Sequence, residues 1–339
     1  MRRIKEALNT GVFRRLYIFH GAESYLLEYY LGQLVEKVVC DGFAEFNLHK
    51  FDGREMDLKE FDLAINSPPV MAELKLVIIN DFDIFKSPDK EQLAELLSDL
   101  PEFVVVVFAH SAVPFAPDKR QKLYKTIEQT AQIIEFTAQS ESDLIAWVKR
   151  RAAAQGKELD SQTCQHLIYI TGGLMTNMAN EIDKLCAFST VPRIDKRMID
   201  QVVNPVVEFS VFKMIDAIKI KNFDTALTIL DSLFAQNEEP IAILALLTRN
   251  FCQMLSARLG GNAGSGYVTK LWGLRSDFQA KQIINGAARF DRASLQQTVE
   301  LCAQADLDMK SKGLDNKDCL RMTICKIAGL IDSGGTRHG

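Results

Sequence analysis

The sequence predicts a parallel α/β domain followed by two all-helical domains. Residues 1–137 alternate short apolar segments with helical patterns, as is typical of a parallel sheet with helices packed on it. From residue 139 onward only helical periodicity is found. The 339 residues, 47% of them hydrophobic, exceed the size of one typical domain of about 150 residues. The chain is therefore long and apolar enough for several buried cores.

Four strands are predicted in the first part of the chain. They cover residues 16–20, 74–80, 103–109 and 132–136. The middle two are continuously apolar and rich in β-branched residues, which favours strands covered on both faces. Helices are predicted between them and around them, at residues 23–39, 57–66, 88–100 and 119–129. The second of these helices ends at Ser67-Pro68-Pro69, because proline disfavours helix at the preceding residue.

The remainder of the chain reads as helices separated by Pro and Gly. A helix capped by Ser140 and ending near Gly156 comes first. The other predicted helices cover 160–170, 174–188, 195–203, 210–220, 224–236, 240–259, 276–290, 292–310 and 317–331, with a flexible loop at 260–266. We therefore expect an α/β domain at 1–138, a small helical domain at 139–208, a larger helical domain at 209–331 and a flexible tail at 332–339.

Charge and cysteine content exclude several classes of function. The 40 Lys and Arg against 44 Asp and Glu give a net charge of -4, so the chain as a whole is no obvious polyanion binder. Residues 211–331 carry 15 basic and 12 acidic residues, a net charge of +3, whereas residues 1–210 carry -7. The seven cysteines form no C-x-x-C pair, so we expect no structural zinc and reduced thiols.

The sequence also predicts a cytoplasmic location. The basic N-terminus lacks the apolar core of a signal peptide, so we expect no cleaved leader. No uncharged apolar run approaches 18 residues, so we expect no membrane span.

The loop after the first strand is where a P-loop would lie, and it lacks most of that motif. A P-loop uses two glycines, a Lys for the β and γ phosphates and a Ser or Thr for magnesium. Here Gly21 is present, but the second Gly, the Lys and the hydroxyl residue are missing, and Glu23 and Glu28 add negative charge. Asp81 and Asp83, after the strand at 74–80, are expected to be solvated loop acids rather than magnesium ligands. The sequence therefore predicts an ATPase-like domain that binds no nucleotide.

No other motif indicates a chemical step. The five histidines lack catalytic partners at a known spacing. No nucleophile elbow, zinc-protease helix or dinucleotide-binding glycine set is found. We therefore expect no catalytic residue, no cofactor and no metal.

Several strings, in this order, resemble one family over nearly the whole chain. They are LYIFHGAESYLLEYYLGQL, SPPVMAELKLVIIN, VVVVFAHSAVPFAPDKRQKLYKTI, ELDSQTCQHLIYITGGLMTNMANEIDKL, FSVFKMIDAIKIKNFDTALTILDSLFAQNEEPIAILALLTRNF and AQADLDMKSKG. They are similar to the delta subunits of bacterial DNA polymerase III. The resemblance implies a RecA-like, AAA+-type P-loop NTPase domain with a degenerate P-loop, then a helical lid, then a helical collar used for oligomerisation.

The resemblance also implies partners. A delta subunit binds the sliding clamp, beta, and helps to hold it open, while neighbouring subunits hydrolyse ATP. It works in a hetero-pentameric ring with motor subunits and delta prime, on primed DNA. We therefore expect a non-ATPase component of a DNA polymerase holoenzyme.

Two sets of site residues follow from the resemblance. The family's clamp-binding pair of hydrophobic residues matches Val70 and Met71, where the family usually has Leu and Phe. Alternatively, these two residues pack inward as the lead-in to a strand. Trp272 stands where the family can have a Trp near DNA, and Arg275 is close enough in sequence to meet a phosphate. Alternatively, Trp272 is packed in a helical core.

Two other classes of function stay open at this point. One is an ATP-using AAA+ subunit of the same loader, but the GK[ST] string, a four-cysteine zinc module and a Ser-Arg-Cys string are missing. The other is a helical DNA-binding scaffold protein. Nucleotide titration and a clamp pull-down would separate these classes.

Overall fold

The computed structural model describes residues 1–39, 42–274, 277–311, 313 and 315–334, and it leaves out the side chains of 262 and 332–334. The chain divides into two compact units, residues 1–139 and 140–339. The predicted division of the second unit near residue 208 stays a prediction.

The first unit is a parallel sheet with helices. Its elements are α1 (Arg2–Thr10), β1 (Leu16–His20), α2 (Ser24–Val38), α3 (Ala44–Asn47), β2 (Leu48–Asp52), α4 (Leu58–Asn66), β3 (Lys75–Asn80), α5 (Lys90–Ser98), β4 (Val104–His110), α6 (Lys122–Thr130) and β5 (Ala131–Glu135). The strand order is β2-β3-β4-β1-β5, and every neighbouring pair is parallel.

The sheet is buried on both faces because its central strands are apolar at nearly every position. Alternate residues of β1 belong to two separate cores: Leu16 and Ile18 to one, Tyr17 and Phe19 to the other. This alternation is required by the strand's period of two. One core is completed by α4, α5 and α6, and the other by α1 and α2. The continuous apolarity of 103–109 predicted this arrangement.

The second unit is helical. Its elements are α7 (Glu141–Ala153), α8 (Ser161–Ile170), α9 (Met175–Phe188), α10 (Lys196–Val202), α11 (Val207–Lys219), α12 (Phe223–Ala235), α13 (Pro240–Leu259), a 3-10 turn (Gly261–Ala263), α14 (Gly264–Trp272), α15 (Asp277–Ala287), α16 (Arg292–Ser311) and α17 (Asn316–Gly334). A large apolar core joins α11 to α17. The rest of the predicted tail, 335–339, lies outside the described residues.

Helix α13 is long and apolar enough to cross a membrane by length and composition. Its side chains instead fill the core of the second unit, where Leu247, Phe251 and Met254 are fully buried. A core helix passes the same composition test, and α13 is such a helix.

Four elements were missed by the sequence analysis: α1, α3, β2 and α14. Strand β2 is an edge strand whose residues are only half buried, so its apolar pattern is broken by His49 and Lys50. The expected loop at 260–266 was wrong, because this segment forms the 3-10 turn and the start of α14. The prediction gave more weight to the glycines of this segment than to the helical pattern of the residues that follow it.

Candidate functional site

Val70 and Met71 lie on the loop between α4 and β3, and both are exposed. The exposed fraction is 42% for Val70 and 79% for Met71. A large apolar side chain so open to solvent is available for a partner. The exposure does not fit the alternative in which the pair packs inward.

Met71 has a backbone conformation that is rare for its residue type. Its φ is 52°, in the left-handed region, where an L side chain costs about 1–2 kcal/mol. Such a conformation persists only when the surrounding structure holds it. The contacts of the loop must therefore supply that constraint.

One constraint comes from Asn47, the last residue of α3. Its side chain is fully buried. Its Nδ2 donates to the Val70 carbonyl oxygen at 2.8 Å, and its Oδ1 accepts from the Val70 amide at 2.8 Å. The side chain thus pairs with both backbone groups of Val70, as a neighbouring strand would.

The second constraint comes from Lys75, the first residue of β3. Its side chain is also fully buried. Its Nζ donates to the carbonyl oxygen of Ser67 at 3.1 Å and to the Ser67 Oγ at 2.8 Å. Ser67 is the C-cap of α4, where a positive charge also interacts favourably with the helix dipole. Burial lowers the pKa of Lys75 below its ordinary value.

The two residues that these side chains hold are Ser67 and Val70. Between them lie Pro68 and Pro69, whose φ angles are fixed by their rings. The segment from Ser67 to Met71 is therefore ordered by side-chain hydrogen bonds at both ends and by covalent geometry in the middle. We call residues 67–71 the display loop.

The loop after β1 lies at the carboxyl end of that strand, where a P-loop would lie. In open parallel sheets ligands bind beyond the carboxyl ends of the strands, where the strand order reverses; here that place is beside β1. A Cβ on Gly21 would lie 2.3 Å from the carbonyl oxygen of Phe136, and the amide of Glu23 donates to the same oxygen at 3.0 Å. Glu23 is itself buried. The loop is thus closed against the end of β5, and this amide does not point at a phosphate site.

Asp81 is a partly exposed loop acid whose side chain is bonded to backbone amides, a role that the sequence analysis did not predict. Its Oδ1 accepts from the amides of Ser111 at 2.8 Å, Ala112 at 2.7 Å and Val113 at 3.0 Å. Burial opposes ionisation, but these amides outweigh it and lower the pKa of Asp81. The carboxylate fixes the loop after β4, and this use accounts for an acid at the end of β3.

Trp272 packs against the core of the second unit and is half-buried. Its Nε1 is buried and has no hydrogen-bond partner among the described residues. Arg275, predicted to join it, lies outside the described residues. The role of this pair in DNA binding stays a prediction.

No group of three His, Cys, Asp or Glu side chains suited to a metal ion is found within the described part of the chain. Six cysteines are free thiols there, four of them buried. Burial raises the pKa of Cys164 and that of Cys302 to about 11, which makes both poor nucleophiles.

Two family models match the chain. The model described as DNA polymerase III, delta subunit, matches residues 17–137. The model described as the C-terminal domain of the same subunit matches residues 208–327. Together they cover more than half of the chain, in the expected order.

The chain belongs to the DNA polymerase III delta subunit family. Among its relatives, the delta subunit of Bacillus subtilis is 26% identical over 330 residues, 95% of each chain. The delta subunit of Escherichia coli is 22% identical over 309 residues, 91% of this chain and 89% of that one. The predicted family is therefore confirmed.

A solved structure shows the same fold. It is described as the Bacillus subtilis DNA clamp loader delta protein, and it matches 97% of this chain and 99% of its own with a TM-score of 0.59 at 23% sequence identity. The predicted fold class, a parallel α/β domain followed by many helices, is thereby confirmed.

The sequence analysis of this delta family member missed Asn47 and Lys75. Lys75 had a visible signal, since it is a charged residue within the otherwise apolar segment 74–80. Asn47 had no such signal, because it ends α3 just before β2, and both elements were missed. The roles of Val70, Met71, Trp272 and Arg275 were not decided by the family match and stay predictions.

Proposed function

We propose that this chain is the clamp-loader subunit that binds the sliding clamp through Val70 and Met71 and helps to hold it open. The display loop carries this proposal, because it presents two apolar side chains on an ordered backbone. Binding energy in protein interfaces is concentrated in a few such anchors, and Met adapts to a preformed pocket. Val and Met are smaller than the Leu and Phe usual in the family, so we expect a matching pocket on this organism's own clamp.

A titration of the purified chain with that clamp tests the proposal. Replacing Val70→Ser and Met71→Ser together should weaken binding at least about 30-fold, or about 2 kcal/mol, because both anchors are lost. Val12→Ser is a matched control, since Val12 is 74% exposed on the segment between α1 and β1. Unchanged affinity of the double variant, with an intact fold, would contradict the proposal.

We further propose that the chain binds no ATP. The amide of Glu23 is bonded to Phe136, Asp81 is bonded to three loop amides, and no Lys or Ser/Thr follows Gly21 in P-loop spacing. Glu23 and Glu28 would repel a triphosphate. Titration with a fluorescent ATP analogue and magnesium should therefore show no saturable binding, and saturable binding would overturn this part.

The expected partners follow from the family. The chain would join motor subunits and delta prime in a hetero-pentameric ring in the cytoplasm, and reach primed DNA there. The basic excess of residues 211–331 supports a DNA-facing surface in that assembly. If Trp272 and Arg275 contact DNA, a loader containing Trp272→Ala should load clamps more slowly at primed sites, and normal loading would argue against this contact.

A further inference from the structure

The register of β2 and β3 places the two side chains that hold the display loop next to each other. Leu48 of β2 pairs with Leu76 of β3, and the two anchors, Asn47 and Lys75, each come one residue earlier. Parallel pairing therefore puts the two buried polar side chains side by side at the amino ends of neighbouring strands. Both reach the segment that connects α4 to β3.

Within the described part of the chain, the side chains of both anchors have hydrogen bonds to this loop alone. Asn47 bonds to Val70 through its donor and its acceptor, and Lys75 bonds to Ser67 through its ammonium. No carboxylate lies within ion-pair distance of the Lys75 ammonium in the described part of the chain. A buried ammonium without a counter-charge is costly, and an apolar side chain would pack in β3 without that cost.

A fixed loop changes what a partner must do to bind. When only a fraction of the molecules has the competent conformation, the apparent dissociation constant is divided by that fraction. A loop whose left-handed Met71 is held in advance avoids this loss. Neither anchor touches the partner in this scheme, since both side chains are fully buried.

We propose that Asn47 and Lys75 are positioning residues that hold the display loop in its binding conformation before a partner arrives. The inference rests on the proposed function for the partner's identity, but not for the order of the loop. The partner is a protein with an apolar pocket for Met71, and the anchors set the affinity through the conformation of the free chain.

The first test uses the free, full-length chain. With uniform ¹⁵N labelling, the backbone amides of Val70 and Met71 should have the heteronuclear NOE values of ordered backbone. In Asn47→Ala and in Lys75→Met these values should fall towards those of a flexible loop. Asn66→Ala and Lys86→Met are matched controls, because these exposed side chains bond to Asp62 and Asp83 instead. Unchanged NOE values in both anchor variants would overturn the inference.

The second test measures affinity for the sliding clamp. Asn47→Ala and Lys75→Met should each weaken binding about tenfold, as expected if the loop is then competent about one tenth of the time. Ser67→Ala removes only one acceptor of Lys75 and should have a smaller effect in the same direction. If an anchor variant unfolds, Ser67→Ala still decides the question through the amide NOE values of Val70 and Met71.

A double-mutant cycle separates positioning from direct contact with the partner. Met71→Ala should weaken binding by the same factor in the Asn47→Ala background as in the wild type, because Asn47 sets the competent fraction and Met71 sets the affinity of the competent conformation. Strong non-additivity would contradict positioning, because it would mean that Asn47 changes the contact of Met71 itself. If the wild-type chain does not bind the clamp at all, the proposed function fails, whereas the amide experiment still decides whether the anchors order the loop.

Discussion

At the scale of single residues, Met71 of the display loop combines a strained backbone conformation with an exposed apolar side chain. Met71 has a φ that suits glycine, although its side chain contributes little to the fold while it is 79% exposed. Strain of this kind is kept where function requires the side chain. Val70 and Ser67 have no such strain, because neither has a positive φ.

This balance gives a prediction for Met71→Gly. The variant should unfold with a free energy equal to the wild type or up to about 1 kcal/mol higher, because relief of the left-handed strain offsets the entropy cost of glycine. Clamp binding should nevertheless fall, because the anchor is lost. Urea unfolding and clamp titration check the two halves. Met71→Ala, which keeps the strain, is the control, and a Gly variant less stable than the Ala variant would contradict the explanation.

At the scale of elements, the buried strands β3 and β4 could be predicted from the sequence, whereas the edge strand β2 could not. The segments 74–80 and 103–109 are apolar at nearly every position because helices cover both faces, so their pattern is unmistakable. Strand β2 is paired on one side only and half exposed, so its sequence is mixed. Because β2 and α3, which ends at Asn47, were missed, the support of the display loop was not predictable. Val70 and Met71 were named from the family resemblance, and their role stays a prediction.

The end of β1 gives an element-scale prediction. Gly21→Ala should destabilise the chain by about 3 kcal/mol or more, because its Cβ would meet the carbonyl of Phe136 and its φ is 131°. Gly32→Ala is the matched control: Gly32 lies within α2, and a Cβ there meets no atom within 4 Å. Alanine should stabilise that position by about 0.5–1 kcal/mol. Denaturant unfolding of the two variants checks both signs. Equal effects would show that Gly21 is not held by this close approach.

At the scale of the whole molecule, the sheet of the first unit separates two places of different chemistry. The display loop lies at the amino ends of β2 and β3, and the loop that lacks the P-loop residues lies at the carboxyl end of β1. The carboxyl ends of β1 and β4 hold two histidines whose burial should make the stability of the fold depend on pH. His20 and His110 are register partners on β1 and β4, and burial lowers the pKa of both, with His20 adding to the effect on His110.

The sign of the resulting pH dependence is determined by these lowered values. The unfolded chain takes up protons near pH 6.5, whereas the folded chain resists them, so the free energy of unfolding should fall as the pH drops from 7 to 5.5. Burial and the nearby Lys75 lower the pKa of His49 in the same direction. Carboxylates such as Asp81, with a pKa below 3.8, add their loss only at lower pH.

His110→Leu tests this explanation. Both ring nitrogens of His110 are buried without a hydrogen-bond partner among the described residues, so an apolar replacement loses no bond there. Urea unfolding at pH 7 and 5.5 should show a smaller pH effect in the variant than in the wild type. An equal effect in both proteins would exclude His110 as a contributor.

Release of the sliding clamp from circular DNA without ATP tests the central claim most directly. If the chain binds and opens the ring through the display loop, as proposed, the wild type should remove clamps from the DNA in the absence of nucleotide. The variant with Val70→Ser and Met71→Ser should leave the clamps in place, while Val12→Ser should match the wild type. Release by the double variant at the wild-type rate, or no release by the wild type, would contradict the claim.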